Sequence, residues 1–236
     1  MIFGWIVISL SAMWLGFAYV GYPATLLLLA RWSPRARSAG DAQPSLSAII
    51  AVHNGEHELR RKLEATLALE YPRTFEVIVA SDGSTDGTDA IARELADRGV
   101  VLVRTDPRRG KEAAQANAIQ RTSGDILVFT DLTAELAPDA LRQIARPFAD
   151  PTVGSVSSED IVDSSGGERS YVSFEMSLRR LETQASTLVG LSGSFFAVRR
   201  SLASPWPEDL ASDFRTALES IRRGYRAVSE PRARAR

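Results

Sequence analysis

The 236-residue chain contains no cysteine and only two histidines, His53 and His57. That excludes a thiol nucleophile, a disulfide scaffold and a Cys- or His-built zinc site, so any metal must sit on oxygen ligands. A surplus of charge is missing too: 28 Lys+Arg face 29 Asp+Glu, a formal net charge of -1. Non-specific binding to a phosphate backbone needs such a surplus, so nucleic acid is not an expected partner. With 44% hydrophobic residues, the composition is that of a folded protein and excludes intrinsic disorder.

One further absence is local. No Asp, Glu, Lys or Arg occurs from Ile2 to Ala30. Roughly 20 apolar residues cross about 30 Å of hydrocarbon, and this run is longer. Trp5, Trp14, Tyr19, Tyr22 and Trp32 are partly placed for interfacial belts. A cleaved signal peptide would show a basic start and an apolar core of about 7 to 15 residues, and neither is present. The expectation is a single-pass membrane anchor over residues 1–32. Arg31, Arg35 and Arg37 follow the run and no Lys or Arg precedes it, which places the rest of the chain in the cytoplasm by the positive-inside rule. Pro23, with no N–H to donate, is expected to kink the helix or end its regular part.

Residues 33–45, SPRARSAGDAQPS, lack apolar periodicity and read as a linker. From Leu46 onward, strand-like runs alternate with amphipathic stretches. LSAIIAV precedes a helix over Glu58 to Leu69, FEVIVAS one over Thr85 to Asp97, VVLVRT one over Lys111 to Arg121, and DILVFTD one over Pro138 to Phe148. Four such alternations predict a doubly wound α/β domain over residues 46–236 with a mainly parallel sheet. Ligands then belong at the carboxyl ends of the strands. Beyond Asp150 the pattern predicts a strand at VGSVSS, a polar loop over 158–170, a helix over Tyr171 to Leu188, a strand in SGSFFAVRR and a helix over Asp209 to Arg223. A short strand RAVSE and a basic tail, PRARAR, follow. No closing element is recognisable, so the C-terminal part of the domain is expected to be incomplete.

Four segments at strand ends carry the chemistry. In AVHNGE, small residues and free N–H groups suit a nucleotide, although Asn54 capping a helix would explain them as well. In SDGSTDGT, Asp82 sits at a strand tip where it can accept hydrogen bonds from a base or ribose, and Ser84 or Thr85 is expected to cap the next helix. Arg108-Arg109-Gly110-Lys111 places cations at a helix N-terminus, an arrangement that suits a diphosphate but also describes a solvated basic loop. FTDLTAE delivers Asp131, a hard carboxylate of the kind that bridges Mg2+ or Mn2+ to phosphate oxygens. The absence of GxGxxG disfavours an oxidoreductase dinucleotide fold.

Taken together, IIAVHNGE, SDGSTDGT, RRGKEAAQAN, VFTDLTAEL, GLSGSFFAVRR and SDFRTALESIRRGYRAVSEP resemble family 2 glycosyltransferases, particularly membrane-bound synthases of exopolysaccharide, chitin and hyaluronan type. The resemblance covers about residues 46 to 231. It implies a GT-A (nucleotide-diphospho-sugar transferase) fold, an α/β architecture preceded here by the transmembrane helix. It also implies that Ala51, His53 and Glu56 border the nucleotide, that Asp82 reads uracil or ribose, and that Lys111 and Asn117 shape the donor pocket. Asp131 matches the first Asp of the metal-binding DxD motif, whose second position is Thr133 here. Gly193 and Ser194 match the segment under the acceptor. Asp213 matches the general base, preceded by Ser212 where relatives carry another carboxylate.

The resemblance implies an inverting, metal-dependent transferase that takes a sugar from a nucleotide-diphosphate donor, UDP-linked in the family's usual manner, to a glycan or lipid-linked acceptor. The resemblance also allows other membrane subunits as partners. A QxxRW-like segment and later transmembrane helices have no counterpart before Arg236, so processive export by this chain alone is not expected. The alternative is a truncated, catalytically silent relative acting as a membrane-tethered assembly partner. A sugar-nucleotide pyrophosphorylase fits less well, because no Gly-rich loop with Arg or Lys directly follows the first strand.

Overall fold

The computed structural model describes residues 2–32, 40, 43–160, 167–206, 208 and 210–236. The expected linker therefore lies largely outside the described residues, as do residues 161–166 of the loop expected over 158–170; residues 158–160 instead end a strand and 167–170 begin a helix. A seven-stranded sheet in the order β3-β2-β1-β4-β6-β5-β7 forms its centre. The strands are β1 (Leu46–Val52), β2 (Glu76–Asp82), β3 (Val100–Thr105), β4 (Ile126–Asp131), β5 (Val153–Asp160), β6 (Phe195–Arg199) and β7 (Arg226–Ala235). β3, β2, β1 and β4 run parallel, β6 is antiparallel to both β4 and β5, and β7 is parallel to β5. The mainly parallel α/β architecture expected from the alternating pattern is present.

Near-continuous apolar runs make strands that are covered on both faces. On one face Ile50, Val52, Val77 and Val79 pack with Leu59 and Leu63 of α3 (Glu56–Leu67) and Ala92 of α4 (Thr88–Glu94). On the other, Ile49, Ala80 and Phe129 pack with Ala114 and Ala118 of α5 (Lys111–Ile119). α6 (Ala140–Ala145) covers a third cluster around Leu46, Val128 and Val228. Chain order reverses between β1 and β4: β2 and β3 are added on one side of β1, and β4 returns to the other. This switch point opens a crevice at the carboxyl ends of β1 and β4.

Phe129 anchors β4 from below that crevice. Its ring stacks on Phe196 at 4.9 Å and on Trp206 at 4.7 Å between centroids, and the side chain is fully buried. Phe129→Ala is expected to cost about 3–5 kcal/mol, the range for deleting a buried aromatic, read from a denaturant unfolding curve.

The N-terminal run is one helical path: α1 (Ile2–Gly16), a π-helical turn at Phe17–Gly21 and α2 (Tyr22–Trp32). Phe3–Trp32 is long and apolar enough to cross a membrane, by length and composition. The irregularity expected at Pro23 takes the form of the π turn just before it, where the hydrogen-bond ladder changes register and the helix then continues. α2 packs on α7 (Gly167–Ala185): the Tyr22 hydroxyl donates to Glu182 Oε1 at 2.6 Å, and the Tyr19 and Phe174 rings stack at 5.5 Å.

Three local expectations are corrected. The basic tail continues β7 as a single strand: Ala233 and Ala235 are buried while Arg232 and Arg234 point outward, the period-two alternation of a strand. Asn54 does not cap α3; it adopts a left-handed φ of 50°, and its Oδ1 accepts the Thr85 N–H at 2.8 Å. Neither Ser84 nor Thr85 caps α4, which begins at Thr88 after Gly87; Asp86 Oδ1 accepts the Thr88 N–H at 3.0 Å.

Candidate functional site

The sequence-predicted residues collect at the carboxyl edge of the parallel strands because β2, β3 and β4 end there in Asp82, Thr105 and Asp131, and β1 leads directly into His53 and Asn54. Ala51 on β1 is in register with Ala80 of β2 and Asp131 of β4, at the centre of the crevice. The next loop is sewn to the one after β2. His53 Nδ1 lies 2.7 Å from the Asp82 carbonyl, and Gly55 N–H donates to Thr88 Oγ1 at 2.8 Å. Glu56 Oε2 accepts the Gly87 N–H at 2.8 Å. His53 and Glu56 thus shape the rim of the crevice through these cross-loop bonds.

Asp82 is nearly buried, and both its oxygens are engaged. Oδ1 accepts the Arg109 N–H at 2.8 Å and Oδ2 the Gly110 N–H at 2.9 Å. Two backbone donors on one carboxylate fix the loop that leads into α5. Gly110, at φ +103°, takes a conformation that favours glycine, and Gly83, at φ +61°, leaves no room for a Cβ against the Arg108 backbone nitrogen. Through this loop Asp82 controls where Lys111, the first residue of α5, starts.

Lys111 Nζ reaches Asp131 Oδ1 at 2.6 Å, a half-exposed ion pair at the mouth of the crevice. Asn117 points elsewhere. Its Nδ2 donates to the Arg104 carbonyl at 3.2 Å and it lines a groove with Arg104, Arg109, Arg121 and Glu208 that does not include Asp131.

On the opposite wall, the Asp131 N–H donates to the Ser194 carbonyl at 2.9 Å. Ser194 Oγ donates to Asp160 Oδ1 at 2.5 Å, and Ser192 Oγ donates to Asp160 Oδ2 at 2.8 Å. Asp213 lies in the first turn of α8 (Ser212–Arg222), where Oδ1 accepts the Phe214 N–H at 2.7 Å. Its Oδ2 lies against Gly193, where a Cβ would come within 3.0 Å. Asp131, Ser194, Gly193 and Asp213 therefore form one continuous floor. Gly193→Ala is expected to push the Asp213 carboxylate aside and cut turnover by about 10²-fold with stability nearly unchanged, since misplacing a reacting group by about 1 Å costs that much. Steady-state kinetics beside a melting curve test it.

Two residues at the site escaped sequence reading. Asp160 falls where a loop was expected; β5 continues through it and aims it at Ser192 and Ser194. Lys62 lies on the buried face of α3 with Leu59, Leu63 and Thr66. Their spacing is helical, so a Lys on that stripe was a readable signal.

As for a metal, the residues present fit a cation that shares its shell with a ligand. Among the described residues no group of three His, Cys, Asp or Glu could hold one alone. Asp131 offers one carboxylate, and Thr133 offers a hydroxyl two residues on. Mg2+ typically uses one or two carboxylates and takes its remaining ligands from substrate phosphates and water.

Residues 47–205 match the family model Glycosyl transferase family 2. Glycosyltransferase AglE of Haloferax volcanii is 37% identical over 92 residues, covering 37% of this chain and 30% of its own. Hyaluronan synthase of Streptococcus pyogenes is 33% identical over 117 residues, covering 46% and 27%. The matches thus span about a third or less of these relatives. Mannosyltransferase PcManGT from Pyrobaculum calidifontis, solved in complex with GDP-Man and Mn2+, superimposes with a TM-score of 0.78 at 30% identity over 95% of this chain and 66% of its own. The fold is GT-A, as the motif order implied.

Proposed function

The chain belongs to glycosyl transferase family 2, and on that premise we propose that it is a membrane-anchored, inverting glycosyltransferase. Its donor is a nucleoside-diphosphate sugar, UDP-linked in the first instance, and its acceptor a hydroxyl of a glycan or lipid-linked molecule. The observation that carries this reading is the continuous floor from Asp131 through Ser194 and Gly193 to Asp213, with Lys111 facing it. It brings a diphosphate-binding carboxylate and cation into one crevice with a carboxylate that can act as a base.

Asp213 Oδ2 takes the proton of the acceptor hydroxyl, its Oδ1 being held by the Phe214 N–H. The acceptor oxygen forms its bond to the anomeric carbon as the bond from that carbon to the phosphate oxygen breaks. The electron pair leaves on the diphosphate, where Lys111 and the N–H groups at the start of α5 receive the charge. Mg2+ or Mn2+, held by Asp131 and donor phosphate oxygens, would add positive charge against the same leaving group. A single displacement inverts the anomeric centre. Ala51, His53, Glu56 and Asp82 serve the nucleotide end, the last through the loop it anchors, and Asn117 acts from the outer face of α5.

The apolar helix anchors the domain on the cytoplasmic side of the cell membrane, where other membrane subunits can join it. The test is vesicle-reconstituted chain incubated with Mn2+ and UDP-glucose, UDP-N-acetylglucosamine or GDP-mannose, with release of nucleoside diphosphate and sugar incorporation both followed. Release from one donor supports the enzyme. Release from none favours the silent assembly partner, for which Thr133 and Ser212 speak.

A further inference from the structure

Lys62 has no part in the chemistry outlined above, yet it carries a buried charge directly behind it. Its side chain is only 6% exposed, and its Nζ donates to Thr130 Oγ1 at 2.9 Å and to the Ala134 carbonyl at 2.5 Å. Both acceptors are neutral. One residue precedes Asp131 and the other follows it by three, so the ammonium ties together the two ends of the turn that presents the carboxylate. The same turn is closed by the Ala134 N–H on the Asp131 carbonyl at 3.3 Å, and hung from β6's approach by the Asp131 N–H on Ser194.

We infer that Lys62 is a positioning residue for the donor-diphosphate site, holding the turn that presents Asp131. This rests on reading Asp131 as the carboxylate that meets metal and diphosphate. Two physical points favour it. First, a buried ammonium with only neutral partners costs desolvation that an apolar side chain of like length would not, so its presence asks for a return outside stability. Burial pushes Lys62 down to about 8, Asp131 and Glu135 opposing the fall. Second, Thr133 stands where a second carboxylate would help to orient a cation. With one carboxylate in the turn, its placement has to come from the scaffold behind it.

The test uses the full chain, with UDP and GDP as probes, each titrated calorimetrically with Mn2+ and with EDTA. Lys62→Met keeps the length and removes the charge. It is expected to weaken Mn2+-dependent nucleotide binding about tenfold, the lower end of the effect of losing a ligand's supporting partner. Binding in EDTA should stay unchanged and the melting temperature should hold or rise. Lys62→Arg, for which the adjoining cavity of about 230 Å³ leaves room, should retain most of the Mn2+-dependent affinity.

Wild-type Mn2+-dependent affinity in Lys62→Met overturns the inference. So does a parallel loss of melting temperature and of binding in EDTA, the signature of a structural prop. A wild-type chain whose nucleotide binding ignores Mn2+ removes the reading of Asp131 itself, and is told apart because it needs no variant.

Discussion

Asp213→Asn is expected to lower sugar transfer by about 10²–10⁴-fold, the usual worth of a positioned general base, while leaving donor binding within a factor of two. The substitution changes little else. The Asn oxygen can still accept the Phe214 N–H, so the first turn of α8 keeps its local bond, and the side chain keeps its volume against Gly193. What disappears is the basicity of the atom that faces the floor. The effect should therefore fall on kcat, with the KM for donor held and the melting temperature unmoved. The absence of a neighbouring carboxylate sharpens the expectation: Ser212 precedes Asp213 and is buried, so it offers no second base. Turnover at the wild-type rate would remove Asp213 from the mechanism and return it to the role of a first-turn helix residue.

The second large effect concerns Asp131→Asn. Its ion pair with Lys111 is half-exposed, and such pairs contribute only about 0–1 kcal/mol, so the fold should tolerate the change. Function should not. Losing a metal-binding carboxylate from a turn that has only one is expected to raise the Mn2+ concentration needed for half-maximal donor hydrolysis by about 10²-fold or more, beyond the 10–100-fold typical of losing a supporting partner. The sign reverses without metal. Lys111, released from Asp131, is free to meet the diphosphate, so nucleotide binding in EDTA should hold or tighten. Equal loss of binding with and without Mn2+ would mean that Asp131 serves the fold of the crevice instead of the cation.

Much of this was legible in the sequence because parallel strands buried on both faces leave continuous apolar runs. β1, β3 and β4 lie within a residue of where LSAIIAV, VVLVRT and DILVFTD put them. The chain after Asp150 was harder. β5 runs to Asp160 with serines in buried positions, and serine gives no hydropathy signal; the hydroxyls of Ser155 and Ser157 accept from partners remote in sequence, Ser220 Oγ and the Ser192 N–H. The arginines of the last strand masked its alternation with Ala233 and Ala235.

At the site, motif order placed residues correctly at strand ends but said little of their bonds. Asp82 was read as facing a nucleotide, yet its two oxygens are engaged by backbone N–H groups of a loop that follows 27 and 28 residues later. Such a partnership is set by the loop's path, which composition does not encode. Asn117 likewise shares α5 with Lys111 but looks across it to the end of β3. Six residues separate the two, and that is not a helical repeat that would bring them to one face.

The most direct test is diffraction from crystals of the chain grown with UDP or GDP and Mn2+, using the anomalous signal of manganese. The account predicts one anomalous peak touching both the Asp131 carboxylate and the diphosphate, with the nucleotide lying across the ends of β1 and β2 and Asp213 facing open space beyond it. A nucleotide bound elsewhere, or manganese bound away from Asp131, would contradict it.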